Sequence, residues 1–245
     1  MIEQLRQRLQ VLQRTAGIED HPSALPLGIA TIDEALGGGL ARSALHEIAA
    51  PGEAHLAAAT GFVLALTTLS APARHVLWIA EDMALAESGA PYGPGLDLFN
   101  LAPERLLTVS AAHRRDLLWA MEEALRCRTI GAVIGELRHS DIDMVAVRRL
   151  SLAAAESGAL ALLLRGAPAS DTSTAATRWI VGAAPSAAAH GLGLPRFATQ
   201  LIRNRRGPIG SWILEWSDID ERFVLATPAQ LVAAPTRDRP HRQVA

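Results

Sequence analysis

A chain of 245 residues with 49% apolar content has enough material for one large buried core or two small ones, which argues against intrinsic disorder. Its formal charge of −2 argues against a uniformly basic nucleic-acid binder, although local basic patches remain open. All 23 basic residues are arginines, which excludes a phosphate-loop lysine, a Schiff-base lysine and a lysine general base.

Residues 1–15 read as an N-terminal helix, with Leu5, Leu9 and Leu12 on one face and Gln and Arg on the other. So short a helix is marginal alone, so it must dock on its own domain, on a partner or on another copy. Residues 16–27 read as a linker, because Pro22 and Pro26 prevent a continuous helix. Thr31 to Glu34 has capping-box spacing and opens a short helix that Gly37 to Gly39 ends.

Leu45–Ala49 reads as a buried strand, Pro51-Gly52 as a bend, and Glu53 to Leu69 as an Ala/Leu-rich helix. Further strands are expected at His75–Ala80, Leu106–Ser110, Thr129–Ile134 and Leu160–Leu164. Between them, Gly89 to Gly95 reads as a connection and Arg114 to Cys127 as a helix with Leu117, Leu118, Met121 and Leu125 inward. Glu122 and Arg126 have the spacing of an outward i,i+4 pair. Ser140 is the expected cap of a helix that turns Ile142, Val145, Ala146, Leu150 and Ala153 inward. Strands alternating with helices of this length indicate a mostly parallel sheet covered on both faces.

After residue 165 the pattern changes. Trp179–Ala183 reads as a strand, and Arg196–Arg206 with Ser211–Trp216 as a β-hairpin around Gly207 to Gly210. Trp212, Leu214 and Trp216 alternate onto one face, and Arg222–Ala226 is a last strand. Residues 227–245 read as a mobile tail.

Cys127, alone in the chain, excludes an internal disulfide and reads as a buried inert thiol. The N-terminus lacks a signal-peptide pattern, and no uninterrupted apolar run reaches the ~18–20 residues of a membrane span. A cytoplasmic protein without membrane contact is expected.

Gly28-Ile-Ala-Thr-Ile-Asp-Glu-Ala-Leu-Gly-Gly-Gly-Leu40, followed by His46-Glu-Ile48, resembles the entry to the core of RecA-like proteins. Tyr92 to Leu98 with Arg105 to Val109 is similar to the segment after the second core strand of those proteins. Thr177-Arg-Trp179 and Arg203-Asn-Arg-Arg206 resemble a narrower branch, the ImuA family of RecA-like and SulA-like accessory proteins of bacterial damage-induced mutagenesis. The resemblance spans about residues 25–226. It implies an α/β, RecA-like P-loop-type domain over residues 28–226, with a mostly parallel central sheet flanked by helices and a C-terminal β-hairpin extension.

The same resemblance implies a degenerate Walker A region. On this register the first loop glycine becomes Ala50, and Pro51 and Gly52 follow. The Gly-Lys-Thr positions become His55, Leu56 and Ala57, so the triphosphate and Mg²⁺ lose their designed contacts, typically several kcal/mol. Glu81 and Glu136 fall where the family's water-activating and Mg²⁺-side carboxylates lie, either as vestiges or as solvated strand-end carboxylates, the plainer reading. His55 and Leu56 are expected to occupy or face the space of a phosphate.

Other chemistry fails on spacing. His46-Glu47 has Ala50 where a zinc protease needs its second histidine, and the eight histidines are scattered, which suggests surface or capping roles. No Gly-x-Ser-x-Gly elbow occurs, and Gly191-Leu-Gly193 lacks a third glycine. No catalytic residue, cofactor or metal is therefore expected. Arg178, Arg196, Arg203, Arg205 and Arg206, near Trp212 and Trp216, leave three readings: a core with a solvated rim, a protein interface, or single-strand binding. Alternation favours core tryptophans.

The resemblance implies a non-catalytic adaptor in the SOS DNA-damage response, supporting error-prone translesion synthesis. Its implied partners are an inactive Y-family polymerase homologue, an error-prone C-family polymerase and, through the N-terminal helix, the RecA recombinase. Alternatives are a SulA-like cell-division inhibitor, a divergent ATPase with arginine in place of lysine, and a single-stranded DNA-binding module.

Overall fold

Alternation along the central strands decides how the layers stack. In β7 (Leu160–Arg165), Leu160, Leu162 and Leu164 join one core cluster while Ala161 and Leu163 join the other. β4 (His75–Glu81) divides in the same way, Val76, Trp78 and Ala80 to one side and Ile79 to the other. Strands buried on both faces need helices on both faces. The structure, a computed structural model, describes residues 24–70, 74–138, 142–168, 173–186 and 193–226. The N-terminal helix with Leu5, Leu9 and Leu12, Ser140, and the tail from residue 227 lie outside the described residues.

The large sheet has nine strands. Its order begins β11 (Arg222–Leu225), β10 (Gly210–Ser217), β9 (Arg196–Asn204) and β8 (Thr177–Ala183). It continues through β3 (Leu45–Ala49), β7, β6 (Ile130–Leu137), β4 and β5 (Leu106–Ala111). Strands β5 to β8 in this order are paired in parallel, and β9, β10 and β11 extend the sheet antiparallel. The C-terminal hairpin is thus a continuation of the central sheet.

One face carries α2 (Leu56–Ser70), whose Phe62 is fully buried. Its ring lies 5.9 Å from Trp179, 5.8 Å from Phe197 and 5.3 Å from Phe223, so one helix holds parallel and antiparallel strands together. The other face carries α5 (Arg114–Leu125) and α6 (Met144–Ser157). Trp216 and Leu214 are buried and Trp212 is half-buried, as their alternation predicts.

Several local expectations change. The end of the linker stretch is part of the fold: β1 (Ala24–Leu25) pairs with β2 (Leu40–Ala41), and Leu25 and Leu27 are buried. Helix α1 (Ala30–Ala35) starts one residue before Thr31, and Ile29 at its N-cap makes no side-chain cap. Asp33 instead accepts hydrogen bonds from the backbone of Leu27 and Gly28, 2.7 and 3.0 Å, so the capping box is replaced by a bond to the preceding turn. The Gly89 to Gly95 connection is preceded by α3 (Asp82–Ser88) and runs into α4 (Gly93–Asp97), both too short to show periodicity.

Helix α6 begins at Met144 with Asp143 as its cap. This later start turns Val147, Leu150 and Ala154 inward and leaves Val145 exposed. Glu122 pairs with Arg149 across the helix–helix contact at 2.7 Å, and Arg126 pairs with Glu123, which replaces the expected Glu122–Arg126 pair. Cys127 lies past the end of α5 and is exposed. Its hydrogen bond with Thr129 holds the thiol below its ordinary pKa.

Candidate functional site

The chain leaves β3 through one short turn. Ala50 is fully buried and its N–H donates to the Arg165 carbonyl, 3.1 Å, so the residue at the first loop position still belongs to the sheet. A single 3-10 turn, Glu53–His55, closed by His55 N–H to the Gly52 carbonyl at 2.9 Å, then leads into α2. A phosphate-cradling loop needs successive inward-pointing amides, and glycine makes that backbone accessible. Here Gly52 is the one glycine between Ala49 and Leu56.

His55 faces away from the start of α2. Its Nδ1 accepts the Ala183 N–H at 3.1 Å, and its ring lies against Gly182, where a Cβ would come within 3.4 Å of Nδ1. The side chain ties the turn to β8. Leu56 and Ala57 do line an open cavity of about 870 Å³. The expectation that His55 and Leu56 occupy or face the space of a phosphate therefore fails for His55, which is turned to β8. For Leu56 it becomes a wall position.

That cavity sits beyond the carboxyl ends of β4 and β6. Thr60, Gly61 and Leu64 of α2, Trp78 of β4, and Leu96 and Phe99 near α4 form its sides. Glu136 closes one end: its carboxylate accepts Trp78 Nε1–H at 3.0 Å and Arg138 Nε–H at 3.0 Å. The Glu136–Arg138 pair is almost enclosed, with side chains 10% and 12% exposed, so Glu136 is an engaged carboxylate and not a solvated one. Glu81, half-buried at the N-terminus of α3, is not among the lining residues. The two candidate carboxylates do not converge on this cavity.

Charge in the cavity opposes a polyanion. Glu53, Glu87 and Glu136 line it against Arg138 alone. The start of α2 offers an apolar side chain and a methyl group in place of the cation and hydroxyl that normally hold triphosphate and Mg²⁺. Among the described residues, no group of three or more His, Cys, Asp or Glu could hold a metal ion. No helix among them is long and apolar enough to cross a membrane.

The five candidate arginines separate in space. Arg178 Nε lies 3.0 Å from Glu47 across the β3–β8 pairing, a nearly enclosed pair that Ser173 also joins by donating to Glu47. Arg196 is buried and pairs with Glu215 on β10, 2.5 Å. Arg206 donates to the Gly37 carbonyl at 3.2 Å, tying the hairpin turn to the end of α1. Arg203 is half-buried and Arg205 is exposed. Three of the five thus act in folding, which leaves no continuous basic stripe.

Sequence reasoning placed His46 among surface or capping histidines. It is fully buried, with Nδ1 2.7 Å from Thr177 Oγ1 and Nε2 2.8 Å from the Ala41 carbonyl. Thr177 Oγ1 also accepts Trp179 Nε1–H at 2.8 Å. Burial, with a smaller push from Arg206, lowers the His46 pKa to about 4. A near-continuous apolar strand around it was the available signal.

No protein-family model matches the chain. Protein ImuA of Caulobacter vibrioides strain NA1000 / CB15N is 30% identical over 220 residues, covering 82% of this chain and 86% of that protein. Protein ImuA of strain ATCC 19089 / CIP 103742 / CB 15 aligns with the same identity and coverage.

Proposed function

The chain belongs to the ImuA family, and from that membership we propose that it is a non-catalytic, RecA-like adaptor in damage-induced mutagenesis. In this reading it supports error-prone translesion synthesis by joining an inactive Y-family polymerase homologue to an error-prone C-family polymerase, in the cytoplasm. RecA recombinase is a further contact, through residues 1–15. The adaptor role is supported by family membership.

The observation that carries the non-catalytic part is the start of α2. Leu56 and Ala57 line the cavity that adjoins it, where a nucleotide hydrolase needs a cation and a hydroxyl. The degenerate Walker A positions Ala50, His55, Leu56 and Ala57 then act in folding, as sheet terminus, β8 tie and cavity wall.

The test combines calorimetry and genetics. Titration of ATP with Mg²⁺ into the purified chain is expected to give no binding heat at micromolar concentrations. Cells lacking the chain are expected to lose damage-induced mutagenesis, and Glu81→Gln is expected to restore it as fully as the unaltered chain. Micromolar ATP binding, or ATP turnover abolished by Glu81→Gln, would make the chain an enzyme. Filamentous growth on overproduction without any effect on mutagenesis would point to a division inhibitor instead.

A further inference from the structure

Beside α6 lies a second cleft, of about 390 Å³, far from the cavity at the start of α2 in sequence and in lining. Arg148 and Leu152 of α6 form one wall, and Arg205, just past β9, forms the other. Its floor is the hydroxyl pair Ser151 Oγ and Thr174 Oγ1, 3.0 Å apart. Leu152 is 58% exposed, and Arg148 and Arg205 are both exposed. Neither guanidinium has a carboxylate partner among the described residues, whereas the neighbouring Arg149 is held by Glu122. The cleft therefore presents two uncommitted cations around an apolar wall, a composition that fits an acidic ligand with an apolar tip.

The chain itself holds such a ligand. The loop between β10 and β11 reads Asp218-Ile219-Asp220-Glu221, and Ile219 is 90% exposed. The loop is ordered by local bonds: Asp218 accepts the Ile219 N–H at 3.0 Å, and Ser217 bonds with Asp220 at 3.2 Å. Glu221, at φ 50, takes the left-handed conformation that closes the turn. Ile219 is an exposed apolar tip flanked in sequence by three carboxylates, of which Asp220 also pairs with Arg222 at 3.4 Å, a composition suited to insertion between arginines.

The two features lie at opposite ends of the sheet. Thr174 precedes β8 and Arg205 follows the antiparallel β9, so the cleft lies toward the starting end of the parallel strands. The Asp218–Glu221 turn joins β10 to β11 at the other end, separated along β10 by roughly 25 Å at ~3.3 Å per residue. A loop cannot reach the cleft of its own chain, but it can reach that of another.

We propose that the cleft formed by Arg148, Leu152, Thr174 and Arg205 receives the Asp218–Glu221 loop of a second copy, so that the chain associates head to tail. The contact is heterologous, with each copy keeping a free loop at one end and a free cleft at the other. It is small, so association is weak and concentration-dependent. Nucleic acid is the weaker fit, because the cleft holds only two uncommitted cations and the whole chain carries a net charge of −2.

Sedimentation velocity on the full chain at rising concentration tests this. The unaltered chain is expected to grow beyond dimer, and either Arg148→Glu with Arg205→Glu or Ile219→Ser to weaken association at least about tenfold. All three positions are exposed, and an unchanged circular dichroism spectrum verifies folding. Mixing the cleft variant with the loop variant is expected to restore a single intact contact, giving dimers and nothing larger. A chain that stays monomeric at sub-millimolar concentration overturns the proposal. So does association that neither variant weakens, which would place it on another surface such as residues 1–15, or a mixture that fails to pair. Binding of a dT oligonucleotide that disappears in the cleft variant would reassign the cleft to nucleic acid.

Discussion

Single side chains take their roles here from partners distant in sequence. Arg178 becomes a core residue because parallel pairing sets it opposite Glu47, and neither residue carries a sign of the other in its own surroundings. A buried pair of this kind is costly to break from one side, since the remaining charge is left enclosed. His46 shows the same dependence and makes stability sensitive to acid. Its folded pKa of about 4 lies below the ordinary histidine value near 6.5, so the native ring stays neutral while the unfolded ring takes up a proton. Between those pH values the unfolded chain binds more protons, and stability falls as pH falls, on the order of 3 kcal/mol over the whole window. Below about pH 4 this contribution levels off. Urea unfolding at pH 7 and pH 5 should show the loss, and His46→Gln should remove that part of it. An unaltered chain with the same pH dependence as the variant would show that His46 is not the source.

Between elements, close approach decides more than propensity does. Helix α5 seats on β6 over Gly135, where an added Cβ would fall 2.2 Å from Met121 Sδ and 3.2 Å from Leu117 Cδ2. Gly135 has an ordinary backbone, so its requirement is space rather than a special φ. Gly135→Ala is expected to cost about 1–3 kcal/mol by overpacking. Adding Met121→Ala should make the pair less damaging than the sum of the two changes, because the sulfur is the obstacle. Additive losses in urea unfolding would mean that the helix, rather than the sulfur, resists the new methyl. Gly39 is a different case: at φ 125 its Cβ would also meet the Leu25 carbonyl at 2.4 Å, which pins the β1–β2 ribbon to this glycine.

For the molecule as a whole, the aromatic cluster around Phe62 joins the parallel sheet to its antiparallel extension. Trp179 and Trp216 are fully buried on either side of that junction, so tryptophan emission reports on both. Unfolding followed by fluorescence and by far-ultraviolet circular dichroism should therefore coincide in one transition. Phe62→Ala should shift both together by about 3–5 kcal/mol. An earlier fluorescence transition would mean that β9 to β11 unfold as a separate unit.

The order of the strands from β3 to β11 and of the longer helices α2, α5 and α6 was legible in the sequence because apolar runs of strand length alternate with helical repeats, and that pattern is local. The absence of lysine is equally a property of the sequence, and with Leu56 and Ala57 it marked the start of α2 as ill-suited to triphosphate before any geometry was known. Tertiary structure alone decided which charges are buried, which way His55 turns, and how α6 is rotated. Those outcomes depend on pairing register and on contacts such as Arg149 with Glu122, or Ala183 with His55, which link residues 27 and 128 positions apart. Periodicity sees one face of one element. A cavity, an ion pair between strands, or a cleft opposite a loop exists only once several elements share a boundary.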